Sequence, residues 1–148
     1  MTGTTTDHPA SASRAAVAVR ATVSRVRRRI MAVTDGADLT PSQASALMRI
    51  ARNEAATASG LAAAEKVTPQ SIAVTIAALD RDGYIVRTPD PRDGRRQLLE
   101  ATEKGRNRVE GALDAGRAWL ETALADRFSE TERQSIIAAM GLLERLLD

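Results

Sequence analysis

Three arginines, Arg92, Arg95 and Arg96, crowd into the stretch RTPDPRDGRRQLLEATEKG, residues 87 to 105, among Pro89, Pro91 and Gly94. A guanidinium is permanently cationic and carries its donors in a planar fork. Long cations on a loop stiffened by proline suit a narrow minor groove, where A·T-rich DNA concentrates negative potential. Asp93, two residues before Arg95, would repel phosphate if it pointed outward. It is expected instead to orient an arginine through a charge-assisted hydrogen bond. The competing reading is a polar surface hairpin with ordinary arginines.

A second stretch offers different chemistry. In TPQSIAVTIAALDR, residues 68 to 81, Ile72, Ile76 and Leu79 make one apolar stripe. Left pointing outward are Thr68, Pro69, Gln70, Ser71, Ala73, Val74 and Thr75, with Ala77 and Ala78 further along. A solvated helix face would normally carry Glu and Lys. Small and uncharged side chains instead let a helix enter a major groove about 12 Å wide. There Gln can pair with adenine, Ser or Thr can serve several base edges, and Val or Ala can pack on a thymine methyl. The same residues would also suit a helix packed against another helix, and the arginine-bearing hairpin decides between the two.

Other chemistries find little support. The chain has no cysteine, which removes disulfides, thiolate metal sites and thiol redox sensing. Its one histidine, His8, sits in the polar run MTGTTTDHPASAS, expected to be a flexible tail over residues 1 to 12. There is no Walker loop, GxGxxG or HExxH, and the carboxylates do not cluster by spacing. No enzyme, metal or cofactor is expected. With no apolar run long enough to span a bilayer and no basic-then-apolar start, the chain reads as soluble and cytoplasmic, with no membrane partner.

Whatever holds the two stretches in place must be mostly helical. The 148 residues are 43% hydrophobic and 27% charged but only 2% aromatic, so the core must be aliphatic. A net charge of +2 argues for nucleic acid only if the cations are locally clustered. From Ser13 to Val33, Val19, Val23, Val26, Ile30 and Val33 recur at helical spacing, with Arg25, Arg27, Arg28 and Arg29 as a solvated face. Thr40, Pro41 and Gln43 compose a helix start, and Leu47 and Ile50 follow on one face. A short helix spans Ala58 to Glu65, and Thr68-Pro69 repeats the start signal. After Gly83 the period shortens, so YIVRT and RQLLEA read as two short strands joined by the arginine loop. Thr102 caps a long helix with Val109, Leu113, Leu120 and Leu124. SETE, residues 129 to 132, caps a last one running to the C-terminus.

This order is a helix-turn-helix followed by a hairpin: a mainly α fold with a small β-hairpin wing. The segment LAAAEKVTPQSIAVTIAALDRDGYIVR, and above all DPRDGRRQLLEATEKG, resembles the MarR-type (multiple antibiotic resistance regulator) winged helix-turn-helix regulators. Their wing pattern, Asp-x-Arg followed by Leu-Thr-x-x-Gly, falls on Asp93, Arg95, Thr102 and Gly105. Ala101 stands where the family usually has Leu, and Val74 where many members have a basic residue. The resemblance covers about residues 14 to 148. It implies a DNA-binding lobe over 40–102 and dimerisation helices over 13–34 and 103–148. It further implies Arg95 as the minor-groove arginine with Asp93 as its partner, and the helix from Thr68 as the recognition helix.

The function so implied is that of a homodimeric repressor on a pseudo-palindromic operator in double-stranded DNA, released by a small lipophilic or phenolic effector. The effector site is not legible, and Trp119 and Tyr84 stand out only by scarcity. The alternative is a helical protein-interaction module that keeps the winged scaffold without reading DNA, favoured by the modest net charge and the arginine-free helix face.

Overall fold

The structure, a computed structural model, describes residues 9–34, 36 and 38–148. His8 and most of the expected tail lie outside the described residues. The order is α1 (Ala10–Thr34), α2 (Pro41–Ala51), α3 (Ala58–Glu65), α4 (Pro69–Arg81), β1 (Ile85–Asp90), β2 (Asp93–Ala101), α5 (Glu103–Arg127) and α6 (Glu130–Glu144). Its two strands form one antiparallel hairpin. A mainly α chain with a β-hairpin wing is the architecture expected.

Local chemistry sets the helix starts. Thr40 Oγ1 accepts from the Gln43 backbone N–H while Gln43 Oε1 accepts from that of Thr40, a reciprocal capping box. Ser129 and Glu132 repeat it at α6, and Thr57, Thr68 and Thr102 cap α3, α4 and α5 with single hydroxyls. Pro41 and Pro69 sit in first turns, where a missing N–H leaves no bond unmade. Lys66 adopts a left-handed conformation at the end of α3, and Gly83 turns the chain out of α4 with φ of +78°.

One aliphatic core organises α2, α3, α4, the hairpin and the start of α5. Leu47, Leu61 and Leu79 are fully enclosed, and Ile50, Ile72, Ile76, Ile85, Leu99 and Val109 close around them. The hairpin is fastened by the Leu99 N–H, which donates to the Ala56 carbonyl at 2.8 Å. By contrast α1 and α6 bury no residue. The first packs along α5, whereas α6 has no extended packing against any other described element.

Three boundaries differ from the sequence reading. α1 starts at Ala10, so residues 10 to 12, expected in the tail, are helical. α6 stops at Glu144, short of the C-terminus. The third difference is larger: the strands run well into the stretch read as a loop, leaving only Pro91 and Arg92 as the turn. The prolines misled because they usually end strands; at the edge of a two-stranded sheet, Pro89 can pair with Gln97 without an N–H to offer.

Candidate nucleic-acid interface

The outer face of α4 and the hairpin both lie open to solvent, with a cleft between Ala73 on α4 and Arg96 on β2. On α4, Ile72, Ile76 and Leu79 point into the core, as their spacing requires. Thr68, Pro69, Gln70, Ser71, Ala73 and Val74 are exposed, with Val74 72% accessible. Thr75, expected outward with them, is half-buried, and its hydroxyl donates to the Ser71 carbonyl at 3.3 Å. Thr68 Oγ1 accepts from the Ser71 N–H and donates to Ser71 Oγ at 3.1 Å. Gln70 therefore holds the one amide on this face with both ends free, beside the methyl groups of Ala73 and Val74.

The hairpin tip has a geometry that the spacing did not reveal. Pairing runs from Ile85 opposite Ala101 to Pro89 opposite Gln97, and resumes only at Asp90 opposite Asp93. Gly94, Arg95 and Arg96 therefore have no partner across the ladder and form a bulge on β2. Arg92 sits in the turn itself. All three arginines are exposed, and among the described residues none of their guanidiniums forms an ion pair. Asp90 Oδ1 accepts from the Arg92 backbone N–H at 2.8 Å, and Asp93 Oδ1 from that of Arg95 at 3.1 Å. The charge-assisted bond expected between Asp93 and an arginine guanidinium is absent among the described residues, and the carboxylate accepts from the Arg95 backbone N–H instead. Both carboxylates are spent on shaping the loop, and the cations stay free to dock.

Between α4 and the hairpin lies a cleft walled by Thr57, Ser59, Ala73, Arg87, Arg96 and Gln97. Arg87 Nε donates to Asp80 Oδ2 at 2.9 Å, linking β1 to the last turn of α4. Sequence spacing gave no hint of this cleft, because its walls come from four separate elements. Nor did it find the opening between α1, α2 and α5, a cavity of about 290 Å³. Arg27, Arg49, Arg52 and Arg108 reach it, against Glu54, over a lining that includes Met31 and Met48. Neither residue that scarcity had singled out lines it: Tyr84 is buried in the core, and Trp119 is half-buried on α5. Among the described residues there is no cluster of potential metal ligands, and no helix is long and apolar enough to cross a membrane.

Exposed aliphatic residues mark a different surface. Val17, Val23 and Val26 on α1, Ile137, Met140 and Leu142 on α6, and Leu146 and Leu147 at the C-terminus lie open to solvent, Leu146 at 75%.

Residues 37–96 match the MarR family. An HTH-type transcriptional regulator of Mycobacterium bovis is 34% identical over 126 residues, covering 85% of this chain and 87% of that protein. Among solved structures, a transcriptional regulator of Pseudomonas aeruginosa superposes with a TM-score of 0.79 at 30% identity, over 95% of this chain and 99% of that one. A mutant of Staphylococcus aureus MepR bound to an oligodeoxyribonucleotide superposes with a TM-score of 0.66 at 21% identity, over 90% and 97%.

Proposed function

The chain belongs to the MarR family of helix-turn-helix transcriptional regulators, and from that premise we propose that it is a cytoplasmic homodimeric repressor reading a pseudo-palindromic operator. Residues 40–102 form the DNA-binding lobe; residues 13–34 and 103–148 pair two copies. The observation that carries the reading is the uncharged, exposed start of α4 together with a hairpin tip whose three arginines have no ion-pair partner among the described residues. Gln70, flanked by Ser71 and Val74, reads base edges in the major groove. Arg95, with Arg92 and Arg96, enters the adjoining minor groove, where prior fixation of the bulge by Asp93 lowers the entropy lost on docking.

Pairing follows from the aliphatic faces. A protein seldom leaves so many Val, Ile and Leu side chains in water without a partner for them. Burying them between two copies sets the two α4 helices into successive major grooves about 34 Å apart. The MepR mutant bound to an oligodeoxyribonucleotide supports duplex DNA as the partner of this fold.

The cavity between α1, α2 and α5 takes the effector. Arg27, which has no ion pair among the described residues, offers an organic anion a cation beside Arg49, Arg52 and Arg108, which Glu54, Glu65 and Asp38 already hold. The cavity's methionines adapt to an apolar body. Such an occupant releases the operator by favouring a dimer whose lobes no longer match the groove spacing.

A competition gel shift tests the reading. The protein should retard a fragment of its own promoter in the presence of excess unrelated DNA, and retardation should weaken steeply as salt rises. Equal competition by unrelated DNA would favour the alternative, a protein-interaction module, which the net charge of only +2 also suits.

A further inference from the structure

We propose that Tyr84, Asp38 and Arg108 form a clamp that sets the angle between the recognition helix and the α1–α5 frame, and so fixes the half-site spacing the dimer accepts. The clamp rests on the DNA-reading function for its consequence, but not for its geometry.

Asp38 lies in the short connection between α1 and α2. Its Oδ2 accepts from the Tyr84 hydroxyl at 2.7 Å. The same carboxylate accepts from Arg108 twice, from Nε to Oδ2 at 3.0 Å and from Nη2 to Oδ1 at 3.2 Å. Nη2 also reaches the Thr34 carbonyl at 3.5 Å, on the last turn of α1. The Asp38 carboxylate thus joins the body of α5 to Tyr84, three residues past α4, and Arg108 extends the link to the end of α1. Two-point contact from a guanidinium fixes an angle as well as a distance.

The far side of the clamp is equally constrained. The Thr102 N–H donates to the Tyr84 carbonyl at 3.0 Å, and Thr102 Oγ1 donates to the Gly83 carbonyl at 2.7 Å. Lys104 Nζ sits 4.4 Å from the centre of the Tyr84 ring and donates to the Asp82 carbonyl at 2.7 Å. A side chain at Gly105 would place its Cβ 2.1 Å from the Tyr84 carbonyl oxygen. One at Gly36 would place its Cβ 2.5 Å from Asp38 Oδ1. At Gly105 any side chain would push into the backbone that carries Tyr84, and at Gly36 one would displace the Asp38 carboxylate.

Charge supports the same conclusion. The Arg108 and Tyr84 hydrogen bonds hold the Asp38 carboxyl down at about 2, and the Asp38 hydrogen bond followed by burial pushes the Tyr84 phenol up. Carboxylate and phenol therefore keep their bonding forms throughout the physiological range.

The position explains why the contacts act on angle. Core residues such as Leu47 and Leu79 hold α4 against α2, and Leu47 also lies against the start of α5 at Gly105, while the polar contacts add a second fixed point between α5 and the residues that follow α4. Asp82, Gly83 and Tyr84 are the three residues between α4 and β1, and all the contacts above except that of Arg108 with the Thr34 carbonyl reach them or the Asp38 carboxylate bonded to Tyr84. A small rotation there moves the tip of α4 and both wings together.

Two measurements test this, and the absence of cysteine makes the first one clean. Spin labels on Val74→Cys and Glu121→Cys, both exposed, report the distance from α4 to α5 within one protomer when labelled protein is diluted into unlabelled chain. The parent should give one narrow distance distribution, and Tyr84→Phe or Asp38→Asn should widen it roughly twofold while melting stays cooperative. Unchanged width in both variants would overturn the clamp whether or not the chain reads DNA. The second measurement uses operators with the half-sites moved one base pair closer or further apart, beside an isolated half-site. The unsubstituted chain should prefer one spacing by roughly tenfold, and Tyr84→Phe should cut that preference to about threefold with half-site affinity unchanged. A preserved tenfold preference overturns the proposal; failure of the unsubstituted chain to bind any of these DNAs refutes the DNA-reading function, leaving the distance result to judge the clamp. If Asp38→Asn does not fold, Tyr84→Phe, which loses a single oxygen, carries both arms.

Discussion

At the scale of single residues, side chains on this molecule divide into those that shape and those left free to bind. Asp90 and Asp93 accept backbone N–H groups, and the arginines beside them keep their guanidiniums in water. The wing motif placed Arg95 and Asp93 together, but spacing could not say that the carboxylate would hold a backbone amide. Arg95→Ala should weaken operator binding by roughly 1–3 kcal/mol, with the loss concentrated at A·T-rich flanks; titration against operators with G·C flanks measures the contrast, and an equal loss on both would remove the minor groove from Arg95's role. Asp38 gives a prediction in pH. Its carboxyl is held at about 2, below the ordinary unfolded value of roughly 3.9. A depressed native value adds stability that is present above the unfolded value and lost as pH falls through the folded one. Asp38→Asn should therefore melt lower than the parent at neutral pH, and the gap should close between about pH 4 and 2. A gap unchanged across that range would show that the carboxylate's charge does not contribute.

At the scale of elements, most of the fold was legible because the caps and the apolar stripes agree with each other. Thr40-Pro41, Thr68-Pro69 and Ser129 each start a helix where the spacing says one begins, and Ile72, Ile76 and Leu79 are buried as their stripe demands. The hairpin was half legible. Its strands were clear where apolar residues alternate, but their extension past Pro89 depends on pairing between segments, which no local pattern encodes. Least legible were the cavity and the Tyr84–Asp38–Arg108 contacts, whose members lie 46 and 70 residues apart in the chain. The element proposed to read sequence is α4, and its exposed amide makes the test. Gln70→Ala should relax preference at one base pair in each half-site, by roughly 1–3 kcal/mol of discrimination, while leaving binding to unrelated DNA nearly unchanged. A uniform loss across all sequences would mean that Gln70 contacts backbone rather than bases.

At the scale of the whole molecule, two unlike surfaces have to act together. One is the aliphatic face of α1, α6 and the C-terminal residues, which calls for a second copy. The other is the α4 and hairpin surface, which as proposed would read only a few base pairs on its own and gain length and symmetry when doubled. Between them lie the cavity and the clamp, where a change of angle in one lobe becomes a change of spacing between two. The cavity arginine Arg108 is also a clamp residue, so an anion drawn to it competes with Asp38 for the same guanidinium. A hydroxyl-radical footprint of the chain on its own promoter tests the paired arrangement most directly. The expected result is two protected patches about one helical turn apart, related by two-fold symmetry, with flanking minor-groove protection that disappears in Arg95→Ala. One isolated patch, or protection spread evenly over any DNA supplied, would contradict it.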